Sequence, residues 1–117
     1  MADTEIELLR SSLDLLILKA LGWGPQHGYA VAEWIESATN DAFSVEEGTL
    51  YPALHRLERK GWVLSEWGLS ENNRRAKFYR LTTAGRAGFR GQVSTWHKCA
   101  ETIGTALRTT ARDVARG

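Results

Sequence analysis

Apolar residues return every three or four positions from Thr4 to Leu21, a stretch without Gly or Pro. They predict an amphipathic helix with Ile6, Leu9, Leu13, Leu16, Ile17 and Ala20 on one side. Leu8, Leu15 and Leu18 form a second apolar strip. That outer strip has to be covered either by the rest of the chain or by a second copy of it. Gly22-Trp23-Gly24-Pro25 ends the helix, and another is predicted from near Gln26 to about Ser37, through Tyr29, Val31, Ala32, Trp34 and Ile35. Thr39, Asn40 and Asp41 then form a polar loop.

The stretch SVEEGTLYPALHRLERKG, residues 44–61, predicts a short helix bounded at both ends. Ser44 and Glu47 have the spacing of a capping box, and Gly61 after Arg59 and Lys60 marks the end. Leu50, Leu54 and Leu57 make its apolar back, while Thr49, Tyr51, Pro52, His55, Arg56, Arg59 and Lys60 make a polar, increasingly basic front. Pro52 would crowd the carbonyl of Gly48, so the first turns should be distorted or start late. Beyond Gly61 the period falls to two. Strands are predicted at Trp62–Trp67 and Ala76–Leu81, joined by a polar tip over residues 68–75. Arg74, Arg75, Lys77 and Arg80 make this hairpin basic, as phosphate or minor-groove contacts would require. Thr82 or Thr83 can cap a last helix running to about Arg112. Along it Phe89, Val93, Trp96, Ala100, Ile103 and Leu107 are spaced 4, 3, 4, 3, 4, the seam of a helix that packs lengthwise on another.

The order of helix, break, helix, loop, capped helix and hairpin is that of a winged helix-turn-helix. The expected class is mainly α with a small two-stranded β-wing. Residues 1–82 would form the winged-helix domain and 83–117 a C-terminal dimerisation helix. At 117 residues one domain is expected, small enough to gain from dimerisation. The net charge of +1 changes the picture only once it is resolved along the chain. Residues 1–50 hold 2 basic and 9 acidic side chains, whereas residues 51–80 hold 7 basic and 3 acidic. The basic block thus begins inside the bounded helix. The longest apolar run, Leu15–Leu18, is too short for a membrane span, and the acidic start lacks the basic region of a signal peptide. A cytoplasmic protein is expected.

Catalytic and metal chemistry finds no foothold in the spacing. His97 and Cys99 lie two apart on a helix and diverge. His27, before Gly28, reads as a local hydrogen-bonding group. There is no phosphate-binding glycine loop or paired carboxylate motif, and Glu46-Glu47 suits a helix N-terminus. Neither an enzyme nor a cofactor or metal is expected.

LDLLILKAL at 13–21, HGYAVAEWI at 27–35, EGTLYPALHRLERKGWV at 47–63 and RRAKFYRLTTAGR at 74–86 resemble the PadR family of bacterial transcriptional regulators, in its subgroup with one C-terminal helix. The likeness covers about the first 90 residues. It implies a winged-helix homodimer, joined by N- and C-terminal helices, whose two recognition helices read an inverted repeat in double-stranded DNA. Repression relieved by a small molecule is the implied role. DNA contacts would come from Ser44, Thr49, Tyr51, Pro52, His55 and Arg56, from Arg74, Arg75 and Lys77 of the wing, and from Tyr29 and Tyr79 near the backbone. Phe78 stands where many members have a second tyrosine, so no phosphate contact is carried over there. The dimer interface would use Leu8, Leu15, Leu18, Phe89, Val93, Trp96, Ala100, Ile103 and Leu107. In some multidrug-responsive relatives a tryptophan matching Trp96 stacks on flat ligands between subunits; Leu15, Trp96 and Ala100 are the corresponding effector candidates for a planar aromatic molecule. The rival reading is a winged helix that binds proteins and no DNA, with Trp23, Trp62 or Trp67 as anchors.

Overall fold

The computed structural model describes residues 12–116. Helices α1 (Leu13–Leu21), α2 (Gly28–Ala38) and α3 (Glu47–Arg59) precede a hairpin of β2 (Val63–Leu69) and β3 (Arg75–Leu81). A two-residue strand, β1 (Gln26–His27), pairs with β3 at Tyr79 and Phe78, so the antiparallel sheet has three strands in the order β1-β3-β2. Helices α4 (Thr83–Arg108) and α5 (Ala111–Arg116) follow.

One core joins these elements. Ile17, Leu18, Leu21, Val31, Ile35, Leu50, Leu54, Leu57 and Val63 are fully buried, which α1, α2 and α3 supply at helical spacing and β2 at its first residue. Leu18 therefore belongs to the core of its own chain, against the expectation that it lies on an outer strip with Leu8 and Leu15. Leu15 is half-buried, and Leu8 lies outside the described residues. None of the described helices is long and apolar enough to cross a membrane.

Three helix boundaries differ from the sequence expectation. Helix α2 begins at Gly28 and not near Gln26, because Gln26 and His27 extend to pair with β3 while His27 Nδ1 accepts from the Ala30 amide at 3.2 Å as the N-cap. Helix α3 begins at Glu47 with Glu46 as N-cap, and no side chain caps it, so the Ser44–Glu47 capping box does not form. Phe43 and Val45 both pack on the core. Residues two apart face the same way only in extended chain, and that burial holds residues 43–46 out of the helix. The Phe43 amide is further tied to Thr39 Oγ1 at 3.2 Å. The last helix stops at Arg108, short of Arg112. Thr109 turns extended there, and Thr110 and Asp113 cap α5 reciprocally, with Thr110 N donating to Asp113 Oδ2 at 3.1 Å and Asp113 N to Thr110 Oγ1 at 3.2 Å. Hydrogen bonds from the Thr110 amide and hydroxyl hold the Asp113 carboxyl below its ordinary range.

The end of α3 fulfils the glycine expectation. Gly61 has φ 79°, its amide donates to Glu58 O at 2.9 Å, and the Trp62 amide reaches back to Leu57 O at 3.0 Å. This pair of bonds is the Schellman arrangement. It delivers Trp62 directly under the start of α4. Thr82 donates through its amide to Trp62 O at 3.0 Å and through Oγ1 to Gly61 O at 2.7 Å. A Cβ on Gly85 would overlap the Trp62 carbonyl oxygen, and one on Gly88 would stand 2.5 Å from the indole. Two glycines that weaken α4 as an isolated helix thus let its first turns lie against Trp62. Trp62 is consequently half-buried.

Candidate nucleic-acid interface

Helix α3 shows three kinds of surface. Leu50, Ala53, Leu54 and Leu57 face the core. Opposite them, Gly48, Pro52, His55 and Arg59 form an exposed ridge, the part of the helix able to enter a groove. Pro52 is tolerated in the helix because the carbonyl it strands, at Gly48, sits in the exposed first turn where water can satisfy it. The flanks are engaged with the protein. Arg56 Nη2 stands 3.1 Å from Asp14 Oδ1 on α1, so this guanidinium, expected at DNA, is paired within the chain. Tyr51 is half-buried and its ring lies so close to Gly28 that a Cβ there would stand 2.7 Å from the hydroxyl oxygen. It braces α3 against the start of α2. Thr49 is half-buried, and Ser44 is exposed just ahead of the helix.

Behind the ridge a polar cluster orients its side chains. Ser65 Oγ donates to Glu58 Oε2 at 2.8 Å. Glu58 Oε1 accepts no hydrogen bond, and His55 Nδ1 stands 3.5 Å from it, too far for a hydrogen bond but close enough for charge attraction when the imidazole is protonated. Tyr79 is only 2% exposed. It is a core residue, because its position on β3 pairs with Ser65 on the sheet face that packs on α3. Burial, then the Glu58 carboxylate, then Tyr51, raise its hydroxyl above the ordinary value of 10.0.

The same sheet face continues outward into the wing. Beyond the Ser65–Tyr79 pair come Trp67 opposite Lys77 and Leu69 opposite Arg75, while Arg80 lies on the other face opposite Leu64. The Arg75 guanidinium sits 4.6 Å over the Trp67 ring, and Trp67 remains 60% exposed. The tip is shorter than expected, residues 70–74, with Arg75 already in β3. Asn73 takes the left-handed conformation at φ 59°, and its amide donates to Ser70 O at 2.9 Å, leaving Arg74 and Arg75 exposed. Between wing and α3 runs a trough of about 370 Å³. Its walls are Tyr29 and His27 at the start of α2, Tyr51 on α3, and Trp67 and Lys77 on the wing, with Tyr79 at its floor. Tyr29 is exposed at its mouth, and its ring stacks on His27 at 6.3 Å.

The trough brings together Tyr29, Tyr51 and Lys77 from three separate stretches of sequence, and Trp67 joins them, which the sequence placed only among protein anchors. Only the strand register could have revealed Trp67, because its side of the sheet follows from Ser65. Charge is unequal across the site. The groove on the other side of Tyr29 and Tyr51 is lined by Glu33, Glu36, Glu46 and Glu47, so cations lie on the wing flank and carboxylates on the α2 flank. Among the described residues no three His, Cys, Asp or Glu side chains converge as a metal site would need.

Comparison with known proteins agrees with this geometry. The Transcriptional regulator PadR-like family matches residues 17–91. A transcriptional regulator of Mycobacterium tuberculosis is 37% identical over 82 residues, which are 69% of this chain and 72% of that protein. Among solved structures, a PadR family transcriptional regulator from Eggerthella lenta aligns with a TM-score of 0.75 at 34% identity, covering 89% of this chain and 88% of that one. A transcriptional regulator from Clostridium thermocellum aligns at 0.76 and 29% identity, covering 85% and 96%. A winged helix with an exposed ridge on α3, a cationic wing beside it and a family match across the whole of that region place the chain in the PadR-like family of transcriptional regulators.

Proposed function

We propose that the protein acts as a homodimeric repressor that reads an inverted-repeat operator and is released by a small molecule. The observation that carries the DNA half of this reading is the continuity of the α3 ridge with the trough and the wing. Pro52 and His55, with Arg59 beside them, enter the major groove. Lys77, Tyr29 and Tyr51 hold the phosphate backbone along the trough, and Arg74 and Arg75 reach the adjacent minor groove with Trp67 between them. Ser44 and Thr49 border the approach. Arg56 acts through Asp14, fixing α3 on α1, more than through a direct contact.

The dimeric half rests on α4. Beyond Phe89, which packs on the core of its own chain, the seam residues Trp96, Ala100, Ile103 and Leu107 are exposed, at 49% for Trp96, 59% for Ile103 and 81% for Leu107. Val93 is half-buried at the transition. An apolar seam of this length, open along a helix of about 39 Å, needs a partner helix, and a second copy supplies the same surface by two-fold symmetry. Leu15, Trp96 and Ala100 would then line the space between subunits that receives a planar aromatic effector.

Fluorescence anisotropy with the protein's own promoter tests the DNA reading. Binding should prefer that sequence and weaken steeply with salt. Alanine at both Arg74 and Arg75 should lower the slope of log affinity against log salt by about one for each phosphate no longer neutralised. Affinity indifferent to salt, or unchanged in that double variant, removes the mechanism in favour of a protein-binding winged helix.

A further inference from the structure

Behind the α3 ridge one charge is left half-satisfied. The Glu58 carboxylate turns inward from the last turn of α3, where Oε2 accepts from Ser65 Oγ at 2.8 Å, while Oε1 is shut off from water and accepts nothing. Among the described residues no lysine or arginine pairs with it. An anionic oxygen in that position is costly unless a donor reaches it. The group that can supply one is His55, one turn back, whose Nδ1 stands 3.5 Å from Oε1. Rotation of the ring closes that gap, and the ring has room to rotate because the side chain is 56% exposed on the ridge. An imidazole held by Nδ1 presents Nε2 on its far edge, so His55 spans from the shielded carboxylate to the surface that faces the groove.

The surrounding charges leave this pair to itself. On α3, Arg56 is turned to Asp14 of α1, Tyr51 is turned to Gly28, and Arg59 is exposed one turn further along the ridge. On β2, Ser65 is uncharged and Glu66 lies on the opposite sheet face. On β3, Lys77 Nζ sits 6.0 Å from the Tyr79 ring. The Tyr79 hydroxyl, raised first by burial and then by Glu58, keeps its proton at neutral pH.

We propose that Glu58 is a positioning residue for DNA reading: it holds the Nδ1–H of His55, so that Nε2 points out of the ridge and the protonated ring donates to a purine N7 or a phosphate oxygen of the duplex. The contact rests on the DNA-binding reading; the choice of tautomer does not. A neutral ring with its proton on Nδ1 has only a lone pair at Nε2 and repels an acceptor. The imidazolium donates from both nitrogens, one to Glu58 and one to DNA, and both of its partners are acceptors. Each protomer therefore takes up a proton at His55 on binding, and affinity for the operator falls as pH rises through the range in which imidazoles lose their charge. Glutamine at position 58 changes this logic without changing the shape. Its amide oxygen still accepts from Ser65, but its amide nitrogen donates to Nδ1, which moves the proton of the neutral ring to Nε2. His55 can then donate to DNA uncharged.

Anisotropy on the protein's own promoter, at constant ionic strength and from about pH 6 to about pH 8, reads the linkage. Affinity of the full chain should fall about tenfold over that range, the loss of one charge-assisted hydrogen bond. Glu58→Gln should flatten the profile and bind at the upper pH at least as well as the parent, whereas a merely structural role would lower affinity at every pH. His55→Lys, a permanent cation, should bind without the fall, and His55→Gln should lack the fall at lower affinity. Circular dichroism verifies the fold of each variant; His55 is exposed, so its variants carry the test if Glu58→Gln unfolds. A single 7-deazapurine or a single methylphosphonate in the half-site should also remove the fall, and whichever does so names the acceptor. Nitrogen NMR of the free chain reads the tautomer without DNA: at the upper pH the proton should sit on Nδ1 of His55 in the parent and on Nε2 in Glu58→Gln. A profile unchanged in His55→Gln, an equal loss at every pH in folded Glu58→Gln, a fall that survives both kinds of DNA substitution at every half-site position, or an Nε2 proton in the parent overturns the inference. A chain that ignores its promoter yet carries the Nδ1 proton loses the DNA reading and keeps the positioning of His55 by Glu58.

Discussion

Single residues set the tolerances at the joint between α3 and α4. Gly61 holds φ 79°, which a side chain adopts only with strain, and Gly85 has the Trp62 carbonyl where a Cβ would go. The obstacle at Gly85 is backbone and not the flexible end of a side chain, so relief requires α4 to lift from the turn. Gly85→Ala should therefore lower stability by about 1–3 kcal/mol, the usual cost of overpacking, read as a lower urea midpoint at unchanged slope. Gly91 is the control. Nothing lies within 4 Å of its added Cβ, and alanine there should raise helix propensity and leave the midpoint equal or higher. A comparable constraint at Gly28, where Tyr51 fills the space of a side chain, fixes how α3 sits on α2.

At the scale of elements, α3 and α4 differ in what completes them. Helix α3 is finished within the chain: its back is buried, its flanks are held by Asp14 and Gly28, and its end closes on Gly61. Helix α4 is finished only over its first turns. From Trp96 onward its apolar seam has no cover among the described residues. Ile103→Glu places a charge in the middle of that seam at a position exposed in the single chain, so it should leave the winged helix folded. In a dimer the same carboxylate would be buried without a partner, and association should fall by on the order of a hundredfold or more. Sedimentation at micromolar protein reads this as a shift from dimer to monomer with unchanged far-ultraviolet dichroism. A monomeric parent chain would end the dimer proposal.

For the whole molecule, the distribution of charge matters more than its sum. The wing carries Arg74, Arg75 and Lys77, the groove beside α2 carries four carboxylates, and phosphates should therefore be gripped from the wing side of α3. Two such surfaces related by a two-fold axis can bind one face of a duplex only if the half-sites are in helical phase. Adding about five base pairs between half-sites, half of the roughly 10.5 base-pair turn, should weaken binding at least about tenfold, and adding about ten should recover much of it. Footprinting and anisotropy on the spaced duplexes measure both. Equal affinity at every spacing would mean that the half-sites are read independently.

How much of this was legible in advance follows from the range of each interaction. Helices α1, α2 and α3, the hairpin, the Gly61 stop and the α4 seam are written in spacings of two to seven residues, which local geometry converts directly into faces, and the motifs from 13 to 86 carried the family. Long-range burial settled the rest. Phe43 and Val45 drew the chain before α3 into extended form and cancelled a well-formed capping box at Ser44. The third strand exists because Gln26 and His27 meet β3, far along the chain, and pairing energy between distant segments leaves no local pattern. Tyr79 moved from the DNA surface into the core, and Trp67 from a lone exposed aromatic into the wall of the trough, through one register of β2 against β3. Arg56 found Asp14 in the same way. A side chain's period tells which way it faces from its own helix or strand, and what stands opposite it depends on how the elements pack.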